Sequence, residues 1–475
     1  MKKKRLQSIY DRIWYRWGDY LEQKKKNKYE MDMCSGSILS KMLIFTVPLM
    51  ASSILQLLFN AADTIVVGKF AGDHALAAVG SNGALINLLV NFFMGLSVGT
   101  NVLVARYYAA KQEKDLQETI HTSIFLSIVS GIFLAIIGCM RAHTLLEWMK
   151  TPEEVIDLSA VYLRIYFLGM IALMVYNFGA AILRAVGDTR RPLYYLTISG
   201  VINVVLNLLF VVVFHMSVAG VVLATVISEV ISALLVLRCL LKNEGMIHLE
   251  WKKLRIHKDK VIRILRIGLP ASVQGIVFAL SNVIIQSSVN SFGAVTVAGN
   301  SAAANIEGFV YVAMNSFYQT SISFVSQNYG AGKYERLNRI VLCAQLSVFA
   351  VGLLLGNLAV VFGRSLLSLY TSSDMVIEAG MRRLYVISRT YALCGMMDVM
   401  VGALRGLGHA ILPMIVSMIG ACGLRLLWIF TFFQMEEFHS VFFLYMTYPV
   451  SWILTGGTHM ICYLLIRKRM EKQKA

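Results

Sequence analysis

Continuous apolar blocks, each about as long as a bilayer is thick, run through most of the chain. A membrane-spanning helix needs about 20 mostly apolar residues, and twelve blocks meet that length. Only 15% of the 475 residues are charged, against roughly 25% in soluble proteins. The blocks therefore predict an all-α polytopic membrane protein and exclude a cytosolic enzyme and a nucleic-acid-binding domain. We place the twelve spans at about 42–67, 76–103, 118–140, 158–183, 193–214, 218–241, 262–288, 297–325, 339–362, 380–404, 411–432 and 441–466.

Most of the Lys and Arg residues behind the net charge of +17 lie before the first span, after the last, and in every second loop. Cytoplasmic loops carry such an excess. This pattern predicts a multi-pass protein of a bacterial cell membrane with both termini cytoplasmic. The predicted parts are a basic leader (1–40), a six-helix lobe (41–241), a connector (242–261), a second six-helix lobe (262–466) and a basic tail (467–475).

The two halves repeat one another in sequence. Leu183 to Gly187 reads LRAVG and leads to Pro192, and 221 residues later Leu404 to Gly408 reads LRGLG and leads to Pro413. Each half holds six spans, an even number, so both enter the membrane in the same sense. We therefore predict two six-helix bundles related by a pseudo-twofold axis along the membrane normal.

The repeated motifs also carry a family resemblance. In their order and spacing, the TVP that ends at Pro48, ADTIVVG (62–68), LRAVGDTRRP (183–192), GLP (268–270) and LRGLGHAILP (404–413) resemble the MATE (multidrug and toxic compound extrusion) transporters. The resemblance implies two bundles around a V-shaped cavity and the export of organic, often cationic compounds in exchange for Na⁺ or H⁺. The expected partners are small organic cations or drugs and membrane lipid, with no nucleic acid, and the expected state is a monomer.

Four carboxylates lie inside the predicted spans: Asp63, Glu229, Glu307 and Asp398. A charge at bilayer depth costs at least about 2.5–3.5 kcal/mol, so each is a candidate functional residue. Gln56 and Asn60 share a helical face with Asp63, and we expect that face to point into the bundle.

Polar residues near Asp63 in the predicted bundle suggest a cation site. The resemblance matches Asp63 with the family's first-span acid and Asn203 with its fifth-span asparagine, and it puts Asn177 and Thr225 where polar partners would lie. One branch of the family has Asp where this chain has Asn207, so the site has one carboxylate fewer unless Glu229 replaces it. Oxygen ligands suit Na⁺, whereas a half-buried carboxylate also suits a proton, and the sequence leaves both open.

Four further polar residues are predicted to bind substrate: Gln56, Asn60, Glu307 and Asp398. The alternative for the two acids is a structural salt bridge with Arg389 or Arg425. The chain has no nucleotide-binding loop, nucleophile elbow or HExxH motif, so we expect a transporter, not an enzyme, with Na⁺ or H⁺ as coupling ion and no other metal or cofactor. The alternatives are a lipid or lipid-linked oligosaccharide flippase of the same superfamily and a membrane receptor without transport.

Overall fold

The computed structural model describes residues 29–473 and is helical almost throughout. Most of the predicted leader lies outside the described residues. Long helices occupy every predicted span, and each begins or ends within a few residues of the predicted bounds. They are α1 (Ile38–Phe70), α2 (Asp73–Ala109), α3 (Glu113–Trp148), α4 (Glu153–Ala185), α5 (Arg190–Val213), α6 (Ser217–Leu241), α7 (Lys258–Asn290), α8 (Ala294–Gly330), α9 (Leu337–Val361), α10 (Asp374–Gly406), α11 (Ile411–Gln434) and α12 (Val441–Lys472).

Eleven helices of the described chain are long and apolar enough to cross a membrane. The exception among the long helices is α8, whose 37 residues exceed the required length but include many buried Ser, Thr, Asn and Gln side chains. A helix that keeps polar groups in protein contacts instead of lipid has a weaker apolar signal than its length suggests. Its crossing of the membrane therefore stays a prediction.

The two halves meet at the end of the bundle where α1 begins, which we call the leader end. The hydroxyls of Thr46 on α1 and Thr320 on α8 lie 2.8 Å apart, and Gln327 donates to the carbonyl of Ala185 across the halves at 2.7 Å. A side chain at Gly99 on α2 would collide with the backbone of α7. Such close backbone contact needs glycine, because any Cβ would separate the helices.

Residues 29–36 bind both halves at this leader end. The amide of Met31 donates to the carbonyl of Val186 at 3.2 Å, while Asn328 of the second half donates to the carbonyl of Met33 at 3.1 Å. The side chain of Met33 is fully buried. This stretch therefore seals the seam between the halves.

Four glycines farther from the leader end face open space. A Cβ added at Gly80 or Gly83 on α2, at Gly275 on α7, or at Gly308 on α8 would meet no atom within 4 Å. The close backbone contact seen at Gly99 is therefore not repeated at these positions.

Three helices contain a π-helical stretch, and each stretch adjoins a polar side chain. Leu208–Val213 follows Asn207 on α5, Leu384–Ser388 follows Arg383 on α10, and Met418–Gly423 precedes Arg425 by two residues on α11. π-helical turns inside α-helices are frequent at functional sites. These three turns therefore mark the places where the membrane helices carry unusual side chains.

Candidate functional site

Asp63 of α1 faces a cluster of neutral polar side chains from α5 and α6. The amide of Asn207 donates to the Asp63 carboxylate and to Asn203 Oδ1 at 3.4 Å, and Asn203 donates to Thr225 Oγ1 at 3.4 Å. Asn207 is fully buried. Its Oδ1 accepts no hydrogen bond from the described residues. Four of the six predicted cation-coupling residues are therefore in one hydrogen-bonded cluster.

Glu229, one turn further along α6, points away from that cluster toward α4. Its Oε2 is buried and has no hydrogen-bond partner among the described residues. A Cβ added at Gly169 on α4 would lie 3.2 Å from this oxygen. Tyr162, also on α4, is buried near both Glu229 and Asp63. Both carboxylates therefore lie within electrostatic range of the same tyrosine. No lysine or arginine of the described chain forms an ion pair with either of them.

Three predicted site residues stand apart from this cluster. Asn177 donates to the carbonyl of Leu173 on its own helix, at 2.9 Å, instead of to a cluster residue. Gln56 and Asn60 are exposed and donate no hydrogen bond to the cluster residues in the part of the chain that the structure describes. Their helix, α1, contacts both α5 and α8. Their predicted roles stay untested.

Glu307 forms a buried ion pair, but its partner is neither Arg389 nor Arg425. Arg383 Nη2 lies 2.8 Å from Glu307 Oε2, and Arg383 Nη1 donates to Asn300 Oδ1 at 2.6 Å. Arg383 is 8% exposed and lies within α10. The partner is Arg383 because α10 packs along α8. A role for Glu307 in substrate binding remains a prediction, which this pairing does not favour.

Asp398 on α10 has a different environment. It is half-buried and forms no hydrogen bond or ion pair with a described residue, although the charge of Arg405 lies within electrostatic range. The alternative that Asp398 pairs with Arg389 or Arg425 is therefore wrong as well. The charge of Asp398, in the interior of α10, is therefore not taken up by an ion pair with a described residue.

One group of residues in the described chain has metal-ligand geometry, and it lies at the leader end. Carboxylates of Glu118 and Asp259 and a ring nitrogen of His257 lie within 4.8 Å of one another. Lys260 Nζ is 3.5 Å from Glu118 and 3.2 Å from Asp259. The lysine thus supplies the positive charge that a metal would supply, so we interpret the group as a contact that joins α3 to α7.

Sequence reasoning missed the importance of Arg383 and Tyr162. Arg383 lies inside the predicted tenth span, and an arginine three residues into a span is itself a signal for a buried acid partner. Tyr162 gave no such signal, because a tyrosine in an apolar helix is typical of the membrane interface as well as of a site. The tertiary structure alone brings it between two acids.

The chain belongs to the MatE family. The family model matches residues 48–209 and again 270–431, so each half matches on its own and the two stretches begin 222 residues apart. The resemblance inferred from the motifs is confirmed, and so is the all-α membrane fold. The protein is therefore a transporter of the MATE multidrug efflux class.

Individual relatives agree with this assignment. The chain is 29% identical to "Probable multidrug resistance protein YoeA" of Bacillus subtilis over 82% of this chain and 86% of that protein. It is 23% identical to "Probable multidrug resistance protein NorM" of Thermotoga maritima over 82% and 84%. It has the fold of a solved MATE transporter described as outward-facing, with TM-score 0.86 and 21% identity over 93% of this chain and 98% of that one.

Proposed function

We propose that this protein is an ion-coupled antiporter that exports amphiphilic, cationic organic compounds by alternating access. The observation that carries the proposal is the environment of Asp63, a membrane-depth carboxylate held by amides and a hydroxyl instead of by an arginine. A carboxylate that has no fixed counter-charge is free to bind and release a cation.

The donor set of this cluster suits Na⁺ or H⁺. Carboxylate, amide and hydroxyl oxygens are the ligands of hard cations, and Asn207 Oδ1 is buried there without a hydrogen bond. Asp63 carries the coupling charge, and Asn203, Asn207 and Thr225 orient it. Glu229 is a second acid within the same half that can also bind a proton.

Asp398 is the acid of the second half that we assign to a substrate cation. It is half-buried and has no hydrogen-bond or ion-pair partner among the described residues, so a positively charged aromatic compound gains from its charge. The names of the relatives, multidrug resistance proteins, support drug-like substrates.

Unequal contacts along the seam support alternating access. The leader end is closed by contacts such as Thr46 with Thr320, while Gly83 and Gly308 face open space. With the leader end in the cytoplasm, as the basic residues predict, this shape is outward-open. Cation and substrate must favour opposite states, so that binding of one promotes release of the other.

The test is export by the Asp63→Asn variant. We expect at least a tenfold loss of ethidium extrusion at equal surface expression, because the neutral amide exchanges no charge. Asp157→Asn is the matched control: Asp157 is exposed on α4, and we expect its variant to export normally. Undiminished efflux by the Asp63 variant contradicts the coupling role.

The coupling ion is decided in reconstituted vesicles. An imposed Na⁺ gradient and an imposed pH gradient are compared for their ability to drive ethidium uptake. Ethidium uptake that is driven by either gradient in the unmodified protein and is lost in the Asp63→Asn variant supports the scheme. Lipid scrambling without ethidium transport would instead favour a flippase.

A further inference from the structure

Arg425 is a buried arginine with no acidic partner. It lies on α11 just after the π-helical stretch Met418–Gly423 and is 3% exposed. Its Nε donates to Ser451 Oγ on α12 at 2.9 Å. No carboxylate of the described residues lies within ion-pair distance of the guanidinium.

Two other buried arginines lie on α10, and each differs from Arg425. Arg383 makes a bidentate contact with Glu307. Arg405 donates to two neutral side chains through both Nη atoms, whereas Arg425 donates to a described residue through Nε alone. A buried cation without a counter-charge is strongly disfavoured, so the unpaired guanidinium of Arg425 points to a negative charge on another molecule.

Two aromatic rings hold the guanidinium in place. Its carbon lies 4.4 Å from the ring centroid of Tyr448 and 5.8 Å from that of Trp452, both on α12. Ring faces attract a cation and fix its plane, but they do not neutralise its charge. The rings and Ser451 therefore orient the guanidinium and leave its Nη edge for another partner.

That Nη edge is unpaired. Neither Nη atom donates to a described residue, and neither belongs to the sealed, unpartnered atoms of the described chain, which include Nε of Arg405. Cys394 on α10 lies within electrostatic range of both Arg425 and Asp398. Arg425 thus lies in the part of the second half that also contains Asp398.

We propose that Arg425 binds the carboxylate of an aromatic organic compound. The planar guanidinium fork pairs with a carboxylate through two parallel hydrogen bonds, and the neighbouring rings favour an aromatic skeleton beside it.

The inference rests on the proposed export function, because it names the charge class of one group of substrates. Binding to the purified protein needs no ion gradient, however, so the two ideas fail separately. If Asp63→Asn abolishes ethidium export while Arg425 binds no carboxylate, the transport scheme survives without this site.

The first experiment uses the unmodified protein. Binding of 1-naphthoate and of its uncharged analogue 1-naphthamide is measured by equilibrium dialysis on the detergent-purified chain. We expect the carboxylate to bind at least about tenfold more tightly, as loss of a bidentate charged contact implies. Equal affinities overturn the proposal without any variant.

The second experiment changes the arginine. Arg425→Gln is expected to lower the affinity for naphthoate at least about tenfold and to leave the affinity for naphthamide unchanged. Arg425→Lys keeps the charge but loses the planar fork, so its affinity for naphthoate should lie between those of Arg425→Gln and the unmodified protein. Arg389→Gln is the matched control, since Arg389 is exposed on α10 over Tyr385, and we expect it to bind naphthoate normally. Should Arg425→Gln not fold, the lysine variant decides, and naphthoate affinity as high as that of the unmodified protein contradicts the assignment.

Discussion

The two halves of this transporter place acids at membrane depth in opposite ways. In the first half, Asp63 and Glu229 have only neutral neighbours, an asparagine cluster and a tyrosine. In the second half, Glu307 is fixed by Arg383, and Arg425 forms no ion pair with a described residue. Each half thus has two acids, but only the second half pairs one of them with an arginine, which teaches that the repeat preserves helices and not charge pairs.

Equivalent positions make the divergence concrete. By the repeat offset, Asp63 corresponds to Ile285, Asn203 to Leu424 and Asn207 to Trp428. The second half therefore has an apolar core where the first half has its polar cluster. Arg425 in turn corresponds to Val204, so neither half can substitute for the other.

The largest effect is expected where a compensated charge loses its partner. Arg383→Met leaves Glu307 buried and unpaired, and breaking such a pair costs about 3–5 kcal/mol. The midpoint of unfolding in detergent should fall accordingly, whereas Arg389→Met, which alters an exposed arginine, should leave it unchanged. A midpoint that does not move would show that the pair is not part of the stable core.

The comparison can be inverted by giving Asp63 a partner of its own. Asn207→Arg places a guanidinium beside Asp63, as Arg383 lies beside Glu307, and we expect gradient-driven ethidium export to fall at least about tenfold, since a paired acid no longer exchanges cations. Asn207→Asp keeps the size of the side chain and adds a second acid, and this variant should still export. If the arginine variant transports normally, cation coupling does not depend on the neutral environment of Asp63.

The smallest expected effect is a change in the free energy of unfolding whose sign differs between the two halves. Glu229→Gln removes a buried charge that has no partner, so it should raise the free energy of unfolding, by about 1 kcal/mol. Glu307→Gln should lower it, because Arg383 then loses its counter-charge. Both are measured as shifts of the thermal midpoint in the same detergent, and shifts of the same sign would remove the distinction drawn between the halves.

Much of the fold could be predicted from residue patterns. The positions of α1 to α12 follow from apolar runs of bilayer length, and the duplication follows from motifs such as those ending at Pro192 and Pro413. The cluster of Asp63 with Asn203, Asn207 and Thr225 was also predicted, because an acid in lipid needs polar neighbours and the family motifs indicated which helices carry them.

The sequence did not predict which charged residues pair with one another. Glu307 and Arg383 are 76 residues apart, and nothing local to either identifies the other. Gln56 and Asn60 share the helical face of Asp63, yet their side chains are exposed, and periodicity alone does not specify this difference.

By itself, the amino-acid sequence predicted where the chain crosses the bilayer and that its two halves repeat one another. This was possible because the free-energy penalty for unpaired polar backbone groups in hydrocarbon acts on each segment separately. Only the packed helices decided which acid is compensated, which arginine is left without an anion, and which end of the seam is closed. Those features depend on side chains from distant segments meeting in one place, and no single segment contains that information.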